Sequence, residues 1–140
     1  MSDDRLFDRL RPPPAERLSG SELIIDTRAL LNAVQQEPVT FPLHGHRQIA
    51  VLHRGPVRMV LYTFDENGRI PEHAAEGVVT IQVLRGSLNV QTPDADHELS
   101  DGMVLVLDPS IRHSVIATKP TEMLLSVHLV EEGMPVPDIR

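Results

Sequence analysis

The chain contains no cysteine. That excludes disulfides, cysteine-bound zinc, iron–sulfur clusters and thiol catalysis. It has no tryptophan, and aromatic residues make up only 3%. Reading single-stranded nucleic acid by stacking bases on aromatic rings is therefore not expected. Basic residues are also few, with 13 Lys and Arg against 20 Asp and Glu, a net charge of −7. That balance argues against a nucleic-acid partner, whose phosphates demand a basic surface. No apolar run approaches the ~18 residues that span a bilayer, so no membrane partner is expected. The start, Met1 to Arg5, carries Asp3 and Asp4 in place of the basic-then-apolar pattern of a secretory signal. The expectation is a cytoplasmic protein. Gly-x-Ser-x-Gly, Walker-type and His-Glu-x-x-His motifs are missing too.

What is there amounts to one ordinary domain. The chain has 140 residues, 41% of them hydrophobic, which suffices for a core. Seven histidines form the soft-ligand and acid–base inventory. Residues 1–20, with Arg11-Pro12-Pro13-Pro14, read as a flexible proline-rich arm. Residues 21–46 read as a lead-in with one short helix. Asp26 or Thr27 caps it, Ala29, Leu30, Leu31, Ala33 and Val34 supply its apolar face, and Pro38 lies just past its end. Residues 131–140, with Pro135 and Pro137, read as a loose tail.

Between them, residues 47–130 read as short strands separated by turns. The predicted strands are Gln48–Arg54, Val57–Asp65, Val78–Arg85, Leu88–Thr92, His97–Leu99, Met103–Leu107, His113–Thr118 and Glu122–Val130. In the second, Val57, Met59, Leu61 and Thr63 share one face, and Arg58, Val60, Tyr62 and Phe64 share the other. Many short strands at this spacing predict an all-β sandwich or barrel. His44-Gly45-His46 reads as a pair of ordinary loop histidines. His53 and His128 read as solvent-facing, and His97 as solvated. Asp94, Asp96 and Glu98 read as solvated charges.

Two stretches resemble the paired motifs of the cupin superfamily. The first motif of that family has a glycine, His-x-His, a glutamate a few residues on, and a closing glycine. Here Pro71-Glu72-His73-Ala74-Ala75-Glu76-Gly77-Val78-Val79 through Arg85-Gly86 matches in outline. His73 stands at the first histidine and Gly86 at the closing glycine. Gly68 is one residue closer to His73 than the pattern has it. The second motif has a glycine, then Pro-x-Gly-x-x-His, then an asparagine. Gly102 to His113 keeps its glycine-to-histidine spacing. Asp108 stands at the proline position, Ser110 at the second glycine and Ala117 at the asparagine. The resemblance implies a small single-domain cupin: a double-stranded β-helix, or jelly roll, preceded by a short helix. It also implies a homodimer.

Cupin metal sites use three histidines and a glutamate. Position 75 is Ala and position 79 is Val, so only His73 and His113 stand at ligand positions. Imidazole suits a divalent ion such as Fe, Mn, Ni or Zn. A catalytic zinc usually takes three protein ligands, so two histidines fall short and no tightly bound metal is expected. Glu72 and Glu76 flank His73 and could supply an oxygen ligand if Ala74–Gly77 forms a loop; on a regular strand both face away from it. The resemblance places His73 and His113 in the barrel interior. Parity then points Ile81 and Val83, and Val115 and Ala117, inward with them. The expected ligand pocket is His73, Ile81, Val83, His113 and Val115, suited to a small, largely apolar molecule. The alternative is a metal-dependent oxygenase or isomerase that recruits a third ligand to His73 and His113. Whether the chain is an enzyme stays open at this point.

Overall fold

In a computed structural model, residues 21–38 and 44–130 are described. The predicted arm and tail lie outside them. The helix forms where the capping signal puts it, at α1 (Thr27–Gln35). Asp26 is its N-cap, and its side chain accepts the Ala29 N–H at 3.0 Å. That bond satisfies one donor the first turn leaves orphaned.

Nine strands follow among the described residues: β1 (His46–Arg54), β2 (Val57–Phe64), β3 (Arg69–His73), β4 (Gly77–Arg85), β5 (Ser87–Gln91), β6 (Asp96–Ser100), β7 (Val104–Leu107), β8 (His113–Ala117) and β9 (Thr121–Leu129). They form a five-stranded sheet, β1-β2-β9-β4-β7, and a four-stranded sheet, β3-β8-β5-β6. Every pairing is antiparallel. The two sheets close over one another as a jelly roll. The predicted strands are all present within a residue or two. Only β3 has no counterpart among them.

Alternation along β2 divides the molecule into two cores. Tyr62 and Phe64 point into the space between the sheets, where Ile81, Val83, Leu88, Val90, Val115, Ala117 and Met123 are buried. Leu61, one residue out of phase, points the other way. It packs with Ile49 and Val51 against Leu31 and Val34 of α1. The five-stranded sheet is thus apolar on both faces, and α1 covers part of the outer one. The β-branched and long aliphatic residues of these strands suit that two-sided burial.

Candidate functional site

The residues at cupin ligand positions meet at one mouth of the barrel. His73 ends β3 and His113 begins β8, and the two are register partners. Their ring centroids lie 4.3 Å apart, tilted by 57°. His113 is buried, at 1% exposure. His73 is exposed, which corrects the expectation of an interior position. His73 is the last residue of β3, which leaves it open to solvent, while a register irregularity between Ile70 and His73 sets it opposite the buried His113.

Each imidazole is oriented in the same way. His73 Nδ1 donates to the Pro71 carbonyl at 2.9 Å, and His113 Nδ1 to the Ile111 carbonyl at 3.0 Å. A carbonyl only accepts, so the proton of each neutral ring sits on Nδ1 and the lone pair on Nε2. Burial pushes the His113 pKa below the ordinary histidine range. The bond to Ile111 opposes this, and the neighbouring His73 adds to the lowering. His113 is therefore a neutral acceptor at pH 7.

The turn that seats His113 explains one departure in the second motif. Ser110, at the glycine position, has φ +69°, a left-handed conformation. Pro109 precedes it and the Ile111 N–H bonds the Asp108 carbonyl at 3.4 Å, as in a type II turn. The Ser110 N–H donates to the Ala75 carbonyl at 2.8 Å. The bond ties this turn to the segment that follows His73.

Ile81, Val83 and Val115 point inward as parity requires, with exposures of 0%, 0% and 3%. They belong to the packed core. Around them, Val60, Ile70, Ala75, Leu105, Leu125 and Val127 pack on the same core but are only partly buried. Two clefts are described, and none of the five predicted pocket residues lines either. The larger, about 400 Å³, lies on the outer face of the four-stranded sheet, between Glu72, Arg112, Ser114 and Gln91.

A cupin metal ion does not fit these residues. Ala75 and Val79 offer no donor, and Val79 is buried in the core. Glu72 faces the outer cleft and pairs with Arg112 at 3.4 Å. Among the described residues, no three His, Asp or Glu side chains cluster closely enough to hold an ion.

His53 and His128 are exposed, as expected. Two other histidines depart from their sequence reading. His97 is half-buried, on the same side of β6 as Leu99. His46 is the first residue of β1 and is 4% exposed. Its Nδ1 meets the Arg69 carbonyl at 3.1 Å, and its ring lies 5.5 Å from Tyr62 and 5.7 Å from Phe64. Register puts His46 beside Phe64, and Phe64 beside Thr121. The usable signal was phase, since His46 and Gln48 alternate with Ile49 just as Tyr62 and Phe64 alternate with Leu61.

Comparison with known proteins supports the fold. No protein-family model matches the chain, and no curated protein matches its sequence. Solved structures do match. A cupin superfamily protein from Desulfitobacterium hafniense superposes with a TM-score of 0.64 at 14% identity, over 81% of this chain and 96% of that one. An RmlC-like cupin from Desulfovibrio desulfuricans gives 0.57 at 27% identity, over 66% and 91%. Salicylate 1,2-dioxygenase from Pseudoaminobacter salicylatoxidans gives 0.56 at 18% identity, over 71% of this chain and 30% of that one. The chain has the cupin fold, which hosts many unrelated functions. Among the described residues, no helix is long and apolar enough to cross a membrane.

Proposed function

We propose that this cupin barrel binds a small, largely apolar molecule at the His73–His113 mouth, without a tightly bound metal. The observation that carries the reading is the imidazole pair itself. Two rings 4.3 Å apart, each with Nδ1 held by a backbone carbonyl, present two Nε2 atoms as the polar end of an otherwise apolar site. The apolar interior behind the pair is made of the buried Ile81, Val83 and Val115 and the partly buried Val60, Ile70, Leu125 and Val127 packed on them. A neutral His113 accepts a hydrogen bond, so the ligand's polar end is a donor such as a hydroxyl. Small barrels accommodate one ligand of this kind.

The test is a titration with medium-chain alcohols and phenols, followed by NMR of the histidine rings. Saturable shifts at His73 and His113 are expected, lost in His73→Ala and weakened in His113→Gln. Metal content is measured on the same untagged protein after exposure to Fe, Mn, Ni and Zn. Near-stoichiometric metal that disappears in both variants would overturn this reading in favour of a metal-dependent oxygenase or isomerase.

A further inference from the structure

The second cleft, about 200 Å³, lies between α1 and the outer face of the five-stranded sheet. Neither His73 nor His113 lines it. Thr63, Glu122, Arg85, Phe64, Asn32 and Gln35 do. Thr63 and Glu122 are register partners on β2 and β9, so their side chains leave the sheet next to each other.

Both carry an unsatisfied oxygen. Thr63 is 3% exposed, and its buried Oγ1 has no hydrogen-bond partner. Glu122 Oε2 accepts from Arg28 Nη1 at 2.8 Å, but its buried Oε1 has no such partner. Arg85 Nε stands 3.9 Å from Oε1, an ion contact too long for a hydrogen bond. Buried polar atoms are nearly always paired, because leaving one unpaired carries its full desolvation penalty. Two together on one cleft call for a partner from outside.

We infer that this cleft is a second ligand site and that it takes a short neutral polyol. An anion would meet the Glu122 carboxylate. A cation would meet Arg28 and Arg85. A hydroxyl group suits both orphans, since it donates to Glu122 Oε1 and accepts from Thr63 Oγ1. The Leu31 side chain faces the ligand's C–H groups, and Phe64 lines the cleft beside Thr63. The volume equals the liquid share of roughly six or seven waters, at ~30 Å³ each, which suits a polyol of three or four carbons. Arg85 is the movable cover, with a side chain 69% exposed and an ion pair of the weak, solvent-screened kind. Asn32 and Gln35 are exposed amides on the far wall, so the bound polyol bridges α1 to the sheet.

The experiment is a heteronuclear NMR titration of the full chain with glycerol and erythritol, with acetate and inorganic phosphate as controls. Saturable shifts confined to Leu31, Thr63, Phe64 and Glu122 are expected with a polyol only. Thr63→Val, nearly isosteric, should weaken binding about tenfold, the loss of one ordinary hydrogen bond. Thr63→Ser should restore it, and Glu122→Gln should weaken it independently. Linear, delocalised shifts would overturn the proposal as a general solvent effect. So would preference for acetate or phosphate, or polyol binding unchanged in Thr63→Val. Ordered water in the cleft with no polyol response would overturn it as well.

Discussion

His113 makes stability depend on pH in a direction the structure fixes. Its imidazole is 1% exposed, and burial holds its pKa below the ordinary 6.5. As pH falls through about 6.5, the unfolded chain takes up a proton at this position while the folded chain still refuses it. The unfolded state then binds more protons, so the free energy of unfolding falls with pH. The contribution is fully present above the unfolded pKa and is lost as pH drops towards the folded one. One proton sets a ceiling of about 1.4 kcal/mol per pH unit on the slope. Incomplete uptake by the unfolded chain near its midpoint, and any uptake by the folded chain, keep the loss below that ceiling.

The assay is urea unfolding followed by circular dichroism from pH 8 down to pH 5.5, at constant salt. The upper part of that window stays clear of most carboxylate titration. His113→Leu removes the group and with it this part of the slope. Its absolute stability also changes, because the Ile111 carbonyl loses its donor, so the comparison is between slopes. Equal slopes in the parent and His113→Leu would refute the argument. So would a parent that grows more stable on acidification.

Other perturbations test the scaffold around the site. Ser110→Gly relieves the left-handed backbone at φ +69° and should stabilise by about 1 kcal/mol in the same urea assay, with the His73–His113 contact intact. Gly86→Ala should cost roughly 2–6 kcal/mol, because its φ is +121° and a Cβ would lie 2.7 Å from Thr121 Cα. Gly102→Ala, at φ +83° with open space around it, should cost only about 1 kcal/mol; equal costs would show that the Thr121 contact is not what demands glycine at 86. Leu31→Ala, at 1% exposure under α1, should lower the unfolding free energy by about 2–5 kcal/mol.

The strands were legible because most of them alternate or run apolar between Gly, Pro and Asp turns. β3 was not, and its residues explain why. Arg69-Ile70-Pro71-Glu72-His73 has one apolar residue that packs on the core, and Pro71 has no N–H to give a ladder. It survives as a strand because it lies at a sheet edge and pairs only with β8. The resemblance put His73 in the interior, and nothing in the sequence marks that β3 ends at His73 and leaves it open to solvent. The irregularity after Ile70, which sets His73 opposite His113, carries no mark in the sequence either. His46 was missed for the opposite reason. Gly45 beside it looks like loop, yet β1 starts directly after that glycine, which turns at φ +66°. The closeness of His73 and His113 was legible through the motif spacing. The cleft under α1 was not, since Thr63 and Glu122 lie 59 positions apart and only the β2–β9 register joins them.

The groups behind the histidine pair support the binding site proposed for it. A histidine that works as a strong general base usually leans its second nitrogen on a carboxylate, which stabilises the imidazolium as it forms. Here both Nδ1 atoms lean on backbone carbonyls, from Pro71 and Ile111. A carbonyl fixes the ring and its tautomer but brings no negative charge. The nearest available carboxylate in sequence, Glu72, is turned to the outer cleft and taken by Arg112. His113 is further discouraged from protonation by burial and by His73 beside it. At the two remaining ligand positions of the cupin pattern stand Ala75 and Val79, which pack on the interior and supply neither charge nor proton. Such a pair is held in one tautomer, ready to accept hydrogen bonds and poorly placed to keep a proton it has removed. That is the chemistry the proposed recognition site calls for.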